Sequence, residues 1–156
     1  MKLTLTMLTA GLFLALPAYA SLSQCDAVVT EANALLTQQG KPVVQDEKKL
    51  VALLRTLNRD AVLPPEYVTR DQARRMGWSG KDSDSLWSIW SLNKKQLGGD
   101  RWTGQPLPIK ATWYTADLDT VRGYHSNKQL IFSPESATRY LAVDNGGTMV
   151  TLDPCQ

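Results

Sequence analysis

Apolar and polar residues alternate in three bursts between Thr112 and Val150, and that period of two predicts consecutive antiparallel strands at Ala111–Leu118, Lys128–Phe132 and Tyr140–Val143. Upstream the period lengthens. Val28, Ala32, Leu35 and Leu36 share one face of a helix over Cys25–Gln39, with Gly40 as its stop. Behind a capping Asp46, Leu50, Leu53, Leu54 and Leu57 form an i, i+3, i+4, i+7 stripe. Both stripes read as core. Leu63-Pro64-Pro65 then breaks the chain. Thr69 and Gln72 form a capping box for a short helix stopped at Gly77, with Val68 and Ala73 as its hydrophobic staple. Trp78 is expected to be buried against the helices. A further short helix from Asp84 would set Trp87 and Trp90 one turn apart. That pair suits either a stacking platform for bases or packing onto the sheet, and packing is the reading taken here. Leu97-Gly98-Gly99-Asp100 reads as the start of a strand with close backbone approach, and 103–108 as a loop rich in Gly and Pro. Helices first and an antiparallel sheet of four or five strands afterwards make an α+β domain, the helices packed on the sheet.

The ends of the chain change this picture. Lys2, the apolar run Leu8–Pro17 and Ala18-Tyr19-Ala20 have the layout of a cleaved export signal, and the run is too short to span a bilayer. The expected mature chain is Ser21–Gln156, periplasmic or extracellular, soluble and monomeric. It retains two cysteines, Cys25 and Cys155, and export with an even count predicts a disulfide between them. Charge decides little. Without Lys2 there are 16 basic and 15 acidic residues, but Lys94–Arg139 holds seven basic residues against four acidic, a mild excess that suits a polyanion. The single histidine, His125, has no cluster of acids or cysteines around it in the sequence, so neither a metal site nor a cofactor is expected.

Several segments are specific enough to resemble one family. Leu63-Pro64, Tyr67-Val68-Thr69-Arg70, Ala73 and Gly77-Trp78 resemble, in order and spacing, a signature segment of barnase-like secreted bacterial ribonucleases, the microbial guanyl-specific family. Leu97-Gly98-Gly99-Asp100, Thr112-Trp113, Ala116-Asp117-Leu118, Gly123, Leu130-Ile131-Phe132-Ser133 and Asp144 follow in the family's order. The likeness covers roughly Asp46–Leu152, so that 46–156 would be the ribonuclease domain and 21–45 an added helix and linker. The resemblance implies the microbial ribonuclease fold, and metal-free cleavage of single-stranded RNA through a 2′,3′-cyclic phosphate. It also implies a carboxylate base, a histidine acid and a set of cations, with an acidic inhibitor protein as a possible kind of partner.

Carried over residue by residue, most of those roles fall on other side chains. Thr115 stands at the general-base position and Asn145 at the general-acid position, and neither takes or gives a proton near neutral pH. The two phosphate-binding arginines fall on His125 and Gln129, while Arg70 replaces a lysine. The base-binding loop is shortened to Thr103-Gly104-Gln105, beside Arg101 and Trp102, and has no acidic residue. Aligning the chain needs one extra residue near Ser136–Thr138. General acid or base action contributes about 100- to 10,000-fold per group, so losing both leaves residual activity at most by that route. His125, oriented by Asp117 or Asp119, is the remaining candidate for proton transfer, the alternative being a rim residue with no chemistry. Three readings follow: a weak or rewired ribonuclease around His125, Arg70 and Thr115, a relative that binds RNA without cutting it, and a protein-binding module.

Overall fold

A computed structural model describes residues 10–16 and 21–156. The export signal falls for the most part on residues 1–9 and 17–20, outside the described residues. Among the described residues, no helix is long and apolar enough to cross a membrane.

Three helices and a six-stranded sheet make a mixed α+β fold. The helices are α1 (Cys25–Gln38), α2 (Glu47–Asp60) and α3 (Arg70–Arg75). The strands are β1 (Tyr67–Val68), β2 (Gln96–Arg101), β3 (Tyr114–Asp117), β4 (Gln129–Ser133), β5 (Ser136–Val143) and β6 (Thr148–Leu152). They lie side by side in chain order, β1 parallel to β2 and every later pair antiparallel. The sheet thus exceeds the expected four or five strands. The additions are the two-residue β1, too short to show any period, and β6.

Local chemistry sets the helix ends. The Asp46 side chain accepts from the Lys49 N–H at 3.0 Å, and Thr69 and Gln72 complete both bonds of the capping box. Gly40 and Gly77 take positive φ beyond α1 and α3, where a β-carbon would strain the turn. The leucine stripe of α2 and the buried face of α1 share one core with Ala116, Leu118, Leu130, Phe132, Leu141, Val143, Val150 and Leu152. The segment 21–45 is therefore built into the main core. Cys25 and Cys155 are joined by a disulfide, their Cα atoms 4.9 Å apart.

The Asp84 segment departs from expectation. It forms two 3-10 turns, at Leu86–Ser88 and Trp90–Leu92, in place of a helix. The Ser85 hydroxyl accepts from the Trp87 N–H and so favours the tight turn. Leu86 and Leu92, not the tryptophans, are the buried anchors, packed with Trp78, Val68, Ala73 and Leu97. Trp90 is 89% exposed, so it does not pack on the sheet.

Two irregularities shape the sheet. Gly98 pairs with Ala116 and Arg101 with Tyr114, so three steps along β2 match two along β3, a bulge in which Gly99 has φ +97°. Farther on, two steps along β4 (Ile131 to Ser133) match four along β5 (Tyr140 to Ser136). Gly98 carries no side chain because the Tyr67 ring lies across it, where an added β-carbon would overlap Cδ1 and Cγ. Gly98→Ala is expected to cost about 1–3 kcal/mol by overpacking, read as a lower urea midpoint with an unchanged slope. A midpoint equal to wild type would contradict this packing.

Candidate active-site cleft

The sheet face away from the helices divides in two. At one end Trp113, Ile131, Tyr140 and Ala142 form a small core under Trp102, Leu107, Ala111 and Met149. The other end is polar. There a cleft of about 430 Å³ is lined by Arg70, Arg74, Asp100, Arg101, Trp102, Thr115, Asp117, His125 and Gln129, among others. A regular strand would send alternate residues to opposite faces. The β2 bulge instead lets Asp100, Arg101 and Trp102 all reach the cleft.

Asp117 organises the floor. Although only 2% exposed, it accepts from the Gln129 amide at 3.0 Å through Oδ1. Through Oδ2 it is bonded to the Ser126 backbone N–H at 3.0 Å and to His125 Nδ1 at 2.8 Å. Gln129 is its direct partner across the β3–β4 ladder, so this register alone brings the two side chains together. Asp119, the other residue weighed as an orienter, faces elsewhere. It accepts from the Gln45 and Asp46 N–H groups and from Lys128 Nζ, tying the α1–α2 linker to the sheet. Burial works against its charge, but those donors outweigh burial and hold its carboxyl below the usual range.

His125 comes from the loop between β3 and β4. Gly123 in that loop has φ +78° and lies against the Trp87 indole, whose Nε1 donates to the Lys95 carbonyl. Trp87 thus braces the loop that presents the imidazole. The hydrogen bond to Asp117 raises the His125 pKa above its ordinary 6.5, desolvation opposes the shift, and attraction to Asp117 adds to it. Its Nε2 has no partner among the described residues and is not enclosed. His125 is therefore cationic to a higher pH than a free imidazole, and its free nitrogen is available as a proton donor or an anion contact.

The remaining groups are largely engaged. The Arg70 N–H donates to both Asp100 oxygens, at 3.3 and 3.0 Å, and its guanidinium pairs with Asp82 at 2.9 Å and lies 5.6 Å over the Trp78 ring. Arg74 pairs with Asp71. Arg101 brings a third guanidinium, with no ion pair among the described residues. Thr115 is buried, its hydroxyl a long 3.4 Å from the Asp100 carbonyl. The Tyr67 phenol, donating to the Asp117 carbonyl at 2.8 Å, is held above its ordinary range by burial, so it stays protonated near neutral pH.

No family model matches the chain, and no curated protein matches it.

Of the residues singled out in the sequence, Arg70, Arg101, Trp102, Thr115, His125 and Gln129 line one cleft. Asn145 does not. It is exposed in the β5–β6 turn at φ +55°, its backbone N–H bonded to the Asn127 carbonyl at 3.0 Å. A left-handed turn between two strands commits that position to backbone geometry. Sequence reasoning missed Asp100 and Arg74 as cleft residues and left Asp117 one of two choices. The signal for Asp117 was an acidic residue facing inward on an apolar strand, a position seldom occupied without partners.

Near neutral pH, His125 supplies the titration in this cleft, and a linkage follows. Its folded pKa lies above the unfolded value, so its stabilising contribution is complete below about pH 6.5 and is lost as pH rises through the folded value. NMR titration of the single imidazole should give a midpoint above 6.5, and thermal stability should gain on acidification across that window. A midpoint at or below the free-imidazole value would refute the Asp117 bond.

Proposed function

We propose that the chain is an exported, barnase-like ribonuclease relative that holds single-stranded RNA in this cleft, with cleavage weak or lost. The observation that carries the reading is the Asp117-oriented His125 on the floor of a cleft with Arg70, Arg74 and Arg101 around it and Trp102 beside it. Guanidinium groups suit phosphate, the indole suits an unstacked base, and an imidazolium suits a leaving oxygen or a bound anion. What the arrangement lacks is a second proton-transfer group. Thr115 occupies the place where the resemblance expects the base, and Asp100 spends its oxygens on the Arg70 N–H. With one partner of the acid–base pair absent, binding outlasts turnover.

The test is refolded Ser21–Gln156 with fluorescent single-stranded RNA, followed for binding across a salt series and for cleavage with and without chelator. Binding that weakens steadily with salt, and slow chelator-insensitive cleavage or none, is expected. Any cleavage should disappear in His125→Ala. Absence of binding at low salt would sink the RNA reading, and fast cleavage surviving in His125→Ala would sink the site.

A protein-binding role is the second reading. It is favoured by Trp90, 89% exposed, and by Val121 and Tyr124, also exposed, in the loop between β3 and β4. A pull-down from periplasm or culture fluid with Trp90→Ala as control separates it from the first.

A further inference from the structure

On the opposite side of the sheet, beneath α2, lies a larger cavity of about 710 Å³. Its walls are the end of α2, with Leu57, Asn58 and Ala61, and the β4–β5 turn, with Phe132, Pro134 and Ala137. One charged side chain is built into it. Arg139 of β5 is 6% exposed and lines the cavity. On β5 it alternates with Tyr140 and shares the helix-facing side with Leu141 and Val143, far in the fold's layering from the His125 cleft.

Arg139 has no counter-ion among the described residues. Its Nη1 donates to Asn58 Oδ1 at 2.7 Å, and the Asn58 amide in turn donates to the Cys155 carbonyl at 2.9 Å, which fixes the amide's orientation. Its Nε is enclosed and makes no hydrogen bond, the single buried side-chain nitrogen or oxygen so left among the described residues. No carboxylate of the described residues pairs with it, and residues 1–9 and 17–20 contain no Asp or Glu. The other arginines at the mouth are already committed, Arg55 to Asp26 and Arg59 to Asp60. Glu135 stands at the rim without pairing to any of them. Burying a guanidinium without an anion is costly, and desolvation holds this one below its usual range while it remains a cation.

We propose that this cavity is a second ligand site, taking a small organic monocarboxylate with an apolar tail, its carboxylate on Arg139 and its tail along Leu57, Phe132 and Pro134. The size lies within the range of small-molecule pockets. The charge balance selects a singly charged head. One unpaired guanidinium shares the cavity with Glu135 and the C-terminal end of α2, both of which oppose a dianion such as phosphate. Leu57, Ala61, Phe132, Pro134 and Ala137 give one stretch of the wall an apolar surface beside the guanidinium, which favours an organic tail over a bare inorganic ion. The site is independent of the RNA reading, because it shares no residue with the His125 cleft.

The test uses the refolded chain and octanoate as probe, with octanol, acetate and inorganic phosphate as comparisons, read by calorimetry and by thermal shift. Octanoate should bind and raise the melting temperature, while the three comparisons should bind at least about tenfold more weakly, since a charge-assisted bond and an apolar tail are both needed. Arg139→Met should lose octanoate binding about tenfold or more, and Arg139→Lys should keep part of it. Ala137→Trp, at an exposed position on the cavity wall, should block binding while leaving the buried arginine network in place. His125→Ala should bind octanoate as wild type does. Failure of octanoate to bind at millimolar concentration would overturn the proposal. So would equal binding by octanol, or undiminished binding in both Arg139→Met and Ala137→Trp.

Discussion

Replacing Cys25 and Cys155 with serine is expected to lower the free energy of unfolding by about 2–5 kcal/mol. The bond spans 130 residues, so in the chain-entropy account its main effect is to restrict the unfolded ensemble, where a long loop is tied shut. Native contacts at the junction survive the change. Ser23 still bridges Cys155's position, the Cys25 N–H still reaches the Gln156 carbonyl, and Asn58 still holds the carbonyl of residue 155. The double mutant should therefore fold, with a lower urea midpoint and a steeper slope, because the untied unfolded chain exposes more surface. Reduction of the wild type should reproduce both changes. A midpoint that does not move would show that packing alone secures α1.

Asp117→Ala should cost about 3 kcal/mol or more and remove RNA binding with it. Three donors converge on that carboxylate: Gln129 on β4, and the neighbouring Ser126 backbone and His125 in the β3–β4 loop. Deleting it leaves a half-buried amide and a buried N–H without their acceptor and frees the imidazole to rotate. Asp117→Asn separates fold from function. It keeps the volume and some acceptor capacity, so stability should fall less, yet the His125 pKa should drop because the interaction that raises it is gone while desolvation remains. Chemical denaturation gives the first quantity and NMR titration the second. Wild-type stability in Asp117→Ala would mean that the carboxylate is not the hub described.

How much of this was legible depended on whether the signal was local. The Asp46 cap of α2, the capping box of α3 and the glycine stops after α1 and α3 are short-range chemistry, and they could be read directly. The strands β3, β4 and β5 alternate, and their positions followed to within a few residues, although Ala111–Trp113 lies before β3 in the structure. Trp87 and Trp90 misled because Trp-Ser-Ile-Trp-Ser-Leu has helical spacing, while Ser85 and the tight turns use the two leucines as anchors. The cleft was half legible. Residue types and order could nominate Thr115, His125 and Gln129, but not the side-chain bonds that decide between Asp117 and Asp119. Asn145 was placed by analogy of order, and its turn put it outside the cleft. Arg139 gave no sign at all, since burial without a counter-ion is a property of the packed chain.

The chain-order sheet has a consequence for how the molecule comes together. Each strand from β2 onward finds its neighbour within a short reach of chain, so that the meander can zip progressively. The first helix is different, since it rests on α2 but also on β6, the first element seated against the last. The part of its apolar face that meets β6 waits uncovered until the final strand has docked, and so the seam between them is where assembly finishes and where a partially made molecule would be stickiest.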